Sequence, residues 1–324
     1  MTPTDRHRKQ LALAAARLQG RVRITDCTRY DPHIWQKRED QQLGGSFKLR
    51  GVLNSVLAAP EEVIMRGIVC ASSGNTAQAV CLAARDLGAP SFIFMTTEAD
   101  ERKVATIRRF ATSVVVRKAP FSELARDAEN FASENGLVFC SPGASWEFIY
   151  GSGTIGLEIL DQLDVDAVYV PVGGGGLVSG VGIAMRASEQ QNVPRVIGVQ
   201  VDSSPFVYDY FTTGRRPLAM SATAAVSVAD CLLGDLEDSA VVYEVGHQVI
   251  DEVVLVDDRE IMAARAELQS RGIYVEPGAA AGLAAALKSS QSSGQSERVC
   301  VIVTGGERLE ARCRLPKKSR HNET

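Results

Sequence analysis

The stretch VPVGGGGLVSG, residues 170–180, places four consecutive glycines between a β-branched apolar run and an apolar, helix-like run. Ordering glycine costs more backbone entropy than ordering any other residue, so a run of four needs a structural reason. Backbone N–H groups that crowd around a phosphate at the start of a helix provide one. A triphosphate loop would need Gly-Lys-Ser or Gly-Lys-Thr, and the dinucleotide motif GxGxxG would need glycine at Val178. The better interpretation is a phosphate monoester bound by Gly173, Gly174, Gly175, Gly176 and Leu177, with a plain tight turn as the alternative.

Outward from this loop, short apolar runs rich in β-branched residues alternate with helical patterns. Strands are predicted at 67–71, 91–95, 113–116, 137–140, 167–172, 195–201, 252–256 and 298–303. Helices are predicted at 76–88, 122–136 and 258–272, each of which ends at glycine. This alternation predicts an α/β fold with open, mostly parallel twisted sheets flanked by helices. We expect a small lobe at 62–147, inserted into a large lobe formed by 1–61 and 148–324.

A lysine stands at the start of a helix-like segment in GGSFKLRG, residues 44–51. Lys48 follows a Gly-Gly turn and lies between the apolar Phe47 and Leu49. Desolvation among such neighbours lowers the pKa of a lysine and makes its amine a usable nucleophile or base. Taken alone, the segment fits a surface lysine with an apolar stem better.

Two further segments place small polar residues at the end of a predicted strand. In ASSGNTAQA, residues 71–79, hydroxyls, side-chain amides and free backbone N–H groups meet at the start of a helix, where anions bind. A capped turn explains the same residues. In VIVTGGE, residues 301–307, Thr304 ends a buried strand, a position that lines the ligand crevice of parallel sheets.

Composition and charge exclude several classes of function. The net charge of −4 lacks the basic face that nucleic acid or an anionic membrane requires, and no apolar run is long enough to span a bilayer. Seven cysteines without a CxxC pair, and an N-terminus without a signal-peptide pattern, indicate a reduced cytoplasmic protein. The four histidines lack zinc spacing, and no GxSxG elbow occurs, so we expect no metal site and no serine-hydrolase triad.

The four glycine- and hydroxyl-rich segments, in this order, resemble the fold-type II pyridoxal-phosphate enzymes, and within them the threonine/serine dehydratase and serine racemase branch. GSGTIGLEIL at 151–160 and VEPGAAAGLAAAL at 275–287 resemble it as well, so the resemblance covers about 30–310. It implies a Schiff base between pyridoxal 5'-phosphate and Lys48, and a homodimer. The cofactor would be bound by Phe47, Asn75, Thr304 and the segment Gly173–Leu177. An amino-acid substrate would be bound by Ser72, Ser73, Gly74, Asn75, Thr76 and Gln78.

The resemblance predicts β-elimination from L-threonine or L-serine, which gives a 2-keto acid and ammonia. Lys48 would remove the α proton. Three departures, Thr76, Ser152 and Glu307, are expected on the substrate side, and Gln200 replaces a metal-binding glutamate of serine racemases. Three alternatives stay open: β-replacement, motivated by Thr76 and the unusual segment 141–152; racemisation, with Ser73 as the acid on the opposite face; and cofactor binding without turnover. The chain ends soon after the last motif, so we expect no C-terminal allosteric domain.

Overall fold

A computed structural model describes residues 2–97, 99, 101–216, 226–233, 239–293 and 297–307. The strands are β1 (Cys27–Arg29), β2 (Ile34–Lys37), β3 (Ile68–Ala71), β4 (Ser91–Thr96), β5 (Ser113–Arg117), β6 (Val138–Phe139), β7 (Ala167–Pro171), β8 (Arg195–Val201), β9 (Glu252–Val256) and β10 (Val299–Ile302). The helices are α1 (Pro3–Leu18), α2 (Lys48–Ala58), α3 (Glu61–Arg66), α4 (Asn75–Leu87), α5 (Glu101–Arg108), α6 (Phe121–Asn135), α7 (Trp146–Gln162), α8 (Gly176–Arg186), α9 (Phe206–Thr213), α10 (Val242–Val249), α11 (Asp258–Ser270) and α12 (Pro277–Ser293).

Two sheets organise the chain. The larger has the order β1-β2-β10-β7-β8-β9, and the smaller has the order β5-β4-β3-β6. All neighbouring strands run parallel except β1 and β2. The predicted α/β fold is therefore confirmed, and all eight predicted strands are present. The smaller sheet lies within the range predicted for a small lobe, while the lobe boundaries stay a prediction.

Small residues allow α7 and α8 to pack closely, and this explains two of the glycine-rich segments. A Cβ on Gly180 of α8 would lie 2.5 Å from the carbonyl oxygen of Ile149 on α7. A Cβ on Gly156 would lie 2.7 Å from the Cβ of Ala184. Because α8 begins at Gly176, this contact also fixes where the four-glycine loop points.

Two features differ from the sequence-based expectations. The polar composition of 289–297 predicts a loop, but α12 continues into this segment as far as Ser293, because serine and glutamine cost little at a helix end. The sequence pattern does not predict β1 and β2, since each is short and carries polar residues that hide the alternation. The polar composition of 314–324 predicts a disordered tail, and this segment lies outside the described residues. Among the described residues, no helix is long and apolar enough to cross a membrane.

Below the first turns of α2, a buried ion network joins α2 to α7 and to the end of β2. The Arg50 guanidinium donates to Glu39 at 2.7 Å and to Glu158 at 2.5 Å. Lys37 Nζ donates to the same Glu158 carboxylate at 2.6 Å. Burial alone would raise the pKa of Glu39, but Arg50 and a hydrogen bond from Thr25 outweigh it and lower that pKa. The network fixes the helix that starts at Lys48.

We expect Arg50→Met to lower the free energy of unfolding by about 3–5 kcal/mol, because two buried carboxylates lose their shared cation. The matched control is Arg195→Met, which breaks the exposed pair of Arg195 with Glu297 and is expected to cost less than about 1 kcal/mol. Urea denaturation of both variants measures the difference. An equal decrease in the free energy of unfolding in both variants would show that Arg50 acts as an ordinary surface charge.

Candidate active site

All four of the sequence motifs meet in two adjoining cavities. The larger cavity, about 370 Å³, is lined by Lys48, by the segment 71–76 and by Gly174. The smaller, about 70 Å³, is lined by Phe47, Lys48, Asn75, Thr304 and the segment 173–177. Lys48, Asn75 and Gly174 line both. Residues far apart in sequence therefore surround one continuous site.

Backbone pairing between two loops positions Lys48. The N–H of Phe47 donates to the carbonyl of Thr304 at 3.1 Å, and the N–H of Gly306 donates to the carbonyl of Gly45 at 3.0 Å. Gly44 and Gly45 have φ values of 76° and 78°, a conformation that favours glycine. The Gly-Gly turn thus sets the start of α2 against the segment that follows β10.

The Lys48 amine opens into the site without a bonded partner. Nζ lies 4.5 Å from the ring centroid of Phe47 and 5.9 Å from that of Phe148. Among the described residues it makes no hydrogen bond or ion pair. Burial lowers the pKa of Lys48 to about 8, although the charges of Cys231 and Glu276 act in the opposite direction. About a tenth of such an amine is neutral at pH 7, against about one part in 3,000 for an ordinary lysine.

The glycine loop leaves no room for side chains at most of its positions. A Cβ on Gly173 would lie 2.5 Å from the carbonyl oxygen of Cys231, and one on Gly176 would overlap the carbonyl oxygen of Pro142. Gly175 has a φ of 79° and caps α8. Gly174 differs, because the nearest atom to its Cβ is 3.8 Å away. Glycines 173, 175 and 176 therefore shape the loop, and position 174 faces open space in the cavity.

The Ser-Ser-Gly-Asn loop joins β3 to α4. Ser72 accepts a hydrogen bond from the N–H of Gly74 at 3.1 Å, so its hydroxyl stabilises the turn. Ser73 and Thr76 line the larger cavity. Asn75, the first residue of α4, donates through Nδ2 to Glu276 at 3.0 Å. The free N–H groups at this helix start favour an anion.

Three residues expected at the substrate side lie elsewhere. Gln78 lines neither of the two cavities and instead lies between α4 and α5, beside Leu82 and Thr106. Ser152 is fully buried on α7. Glu307 forms an ion pair with Arg265 of α11. Only Thr76, of the three departures, lines the site.

Gln200, which stands at the position of a metal-binding glutamate in the resemblance, has a structural role. Its side-chain oxygen accepts from the N–H groups of Val207 and Tyr208 at 3.0 and 3.1 Å. These bonds satisfy donors in the first turn of α9. Among the described residues, no cluster of three or more His, Cys, Asp or Glu is arranged to hold a metal ion.

Sequence reasoning missed two ionisable residues that line both cavities, Cys231 and Glu276. Glu276 directly precedes the proline that opens α12 and lies in the segment 275–287 that resembles the family, which is the signal that could have found it. Cys231 has no local signal. Its Sγ fills the space beside Gly278, where a Cβ would overlap the sulfur. Burial, Glu276 and Asp230 raise the pKa of the Cys231 thiol to about 12, so it is neutral at physiological pH.

Comparisons with known proteins identify the family of this chain. A family model described as "Pyridoxal-phosphate dependent enzyme" matches residues 15–305. An L-threonine ammonia-lyase from Thermotoga maritima is 37% identical over 276 residues, which cover 84% of this chain and 67% of the relative. The structure of maize serine racemase matches with a TM-score of 0.82 at 30% identity, over 92% of each chain. The processed form of threonine deaminase isoform 2 from Solanum lycopersicum matches with a TM-score of 0.85 at 26% identity, over 95% of this chain and 86% of that one. The resemblance inferred from the motifs is confirmed.

The residues of the two cavities fit pyridoxal 5'-phosphate. The glycine loop lies at the start of an 11-residue helix and forms a recess that side chains would fill. Such a recess suits the phosphate of the cofactor. An unpaired amine of lowered pKa suits its aldehyde. Thr304 and Asn75 line the smaller cavity and offer a hydroxyl and an amide to the pyridine nitrogen and the ring oxygen. We propose these residues, with Phe47 and Leu177, as the cofactor-binding set.

If Lys48 holds the cofactor, borohydride reduction of the purified protein should attach the cofactor covalently to the peptide that contains Lys48. Lys48→Ala should lose this attachment, because no other amine lines the described site. Lys288→Ala, which removes an exposed lysine, serves as the control and should label like the unaltered protein. Mass spectrometry of the digest gives the position. Attachment at another lysine in Lys48→Ala would refute the assignment.

The glycine loop can be tested at the one position where a side chain fits. Gly174→Asp places a carboxylate where the phosphate is expected, and Gly174→Asn places a neutral side chain of the same size there. Two like charges about 4 Å apart repel by about 4 kcal/mol at an effective dielectric constant of about 20. We expect the apparent Kd for the cofactor to rise roughly 1,000-fold more in the Asp than in the Asn variant. Equal affinities would exclude an anion at this loop.

Proposed function

We propose that this chain, which belongs to the pyridoxal-phosphate-dependent enzyme family, is an ammonia-lyase that deaminates L-threonine or L-serine to a 2-keto acid. The observation that carries the proposal is the Lys48 amine, which faces a cavity of about 370 Å³ and has a pKa lowered to about 8. The 37% identity to an L-threonine ammonia-lyase supports the choice of reaction.

Proton transfer is the task of Lys48 in this proposal. When bound, the cofactor supplies an electron sink for the bond that breaks at the substrate α carbon. The neutral Nζ of Lys48 accepts the α proton, and its partial desolvation makes it neutral often enough near pH 7. The β-hydroxyl leaves as water after it gains a proton. The enamine that remains is hydrolysed to the 2-keto acid and ammonia.

Substrate orientation is the task of the loop before α4. The backbone N–H groups at the start of this 13-residue helix favour the substrate carboxylate. Ser73, Gly74, Asn75 and Thr76 all line the larger cavity and form the proposed substrate set, with Ser72 holding their turn. The exclusion of Gln78 from the cavity removes it from this set.

Racemisation is the second candidate. Ser73 lines the larger cavity, and its hydroxyl makes no hydrogen bond to another described residue, so it is free to donate a proton. The structural match to maize serine racemase favours this reaction on the same site. β-Replacement keeps support from Thr76 and from Pro142 and Gly143 of the segment 141–152, which line the larger cavity. Ser152 and Glu307 lie away from it.

The deciding measurement is 2-keto acid release from L-threonine and L-serine without an added nucleophile. We expect turnover on the order of 10 s⁻¹, and a fall of at least about 100-fold in Lys48→Ala, which lacks the base. Chiral analysis of the remaining substrate detects racemisation in the same samples. Rapid turnover of an O-activated serine with a thiol or amine, beside negligible keto acid, would move the protein to the β-replacement class.

The cellular setting is proposed with the function. We propose a cytoplasmic homodimer, as the sequence resemblance implies. Cys70 and Cys140 form no disulfide and are buried near the smaller sheet, which suits a reducing compartment. Sedimentation at several protein concentrations tests the oligomeric state.

A further inference from the structure

One hydrogen bond crosses the site between the two sheets. Asn75 begins α4, which packs on β3 of the smaller sheet, and Glu276 directly precedes α12, which packs on β7 of the larger sheet. The two residues are 201 positions apart, and Nδ2 of Asn75 lies 3.0 Å from Oε2 of Glu276. This bond therefore links the two walls of the cavity, one from each sheet.

On the side of Gly305, little space is left beside this bond. A Cβ on Gly305 would lie 3.2 Å from Nδ2 of Asn75 and 3.7 Å from Oε2 of Glu276. A larger residue at position 305 would therefore press on the pair. Gly305 follows Thr304 in the loop that pairs with the Lys48 turn, so the pair and Lys48 are held by the same segment.

The bond also fixes which way the Asn75 amide points. An ionised carboxylate only accepts hydrogen bonds, so it selects the NH₂ group of Asn75 and excludes the carbonyl oxygen from that place. One N–H of the amide is used by Glu276, and the other is available to the cavity. A reversed amide would set two oxygen acceptors against each other.

Glu276 further brings a negative charge to the cavity into which Lys48 opens. The other ionisable groups around Lys48 are Cys231, which is a neutral thiol at physiological pH, and Asp230, which lines the larger cavity beside it. Glu276 lines both cavities, as Lys48 does. Of the two acids, only Glu276 also contacts Asn75.

We propose that Glu276 is a positioning residue of this site, which orients the Asn75 amide across the cleft and stabilises positive charge on the Lys48 nitrogen. The inference rests on cofactor binding at Lys48 and does not depend on which reaction follows. It gives Glu276 two separable effects, one through its hydrogen bond and one through its charge.

Glu276→Gln separates the two effects, because glutamine keeps an acceptor for Asn75 and removes the charge. The readout is a pH titration of the visible absorbance of the cofactor attached to Lys48. Loss of a neighbouring opposite charge lowers the pKa of a cation by about 1–3 units. We expect such a decrease in Glu276→Gln and a titration close to the unaltered protein in Glu276→Asp, which keeps the charge.

Glu276→Ala removes both effects, so it should also weaken cofactor affinity relative to Glu276→Gln. Glu244→Gln, an exposed change on α10, is the matched control and should titrate normally. A normal titration in Glu276→Gln, or an equal shift in the Asp and Gln variants, would overturn the proposal. The titration needs no turnover, so it can be measured even if the protein has no ammonia-lyase activity. Failure of this proposal and failure of the proposed function therefore give different results.

Discussion

The site depends on the backbone pairing between the Lys48 turn and the segment that follows β10. Phe47 and Gly306 each donate a backbone hydrogen bond to the opposite segment, and Ser46 and Gly305 form a bridge between them. Backbone bonds fix a loop more firmly than side-chain contacts, because they leave few free dihedral angles. Lys48, Thr304 and the Asn75–Glu276 pair are consequently positioned by one short antiparallel contact at the end of the larger sheet.

A second constraint, close packing of helices through glycine, sets the opposite wall. The absence of side chains at Gly156 and Gly180 lets α7 approach α8, and the carbonyl of Pro142 approaches Gly176 in the same way. Substitutions at these glycines would separate the helices before they altered any polar contact. The glycine-rich sequence thus has two different causes, a tight loop at 173–176, which is the proposed phosphate cradle, and helix packing beyond it.

The sequence predicted the site residues that lie in contiguous motifs. It did not predict the residues that reach the site only through the fold. Lys48, Asn75 and Gly173–Gly176 lie in local motifs, and the structure brings them together. Ser152 and Glu307 are also in motifs, but helix periodicity turns the first into the core and an ion pair with Arg265 draws the second away. Gln78 lies one turn further along α4 than the loop that lines the cavity, and it lies next to α5. Glu276 and Cys231 were missed because their role comes from neighbours about 200 residues away in the chain.

The contrast between Lys48 and Arg50 explains how one helix start serves both stability and chemistry. Arg50 is fully buried and is bonded to two carboxylates, so its charge is compensated and it remains fixed. Lys48, two residues earlier, has no bonded partner among the described residues, and burial lowers its pKa to about 8. A carboxylate bonded directly to Lys48 would hold the amine protonated and occupied. Glu276 instead accepts its hydrogen bond from Asn75 and acts on Lys48 through space, which leaves the amine free to bind and to exchange protons.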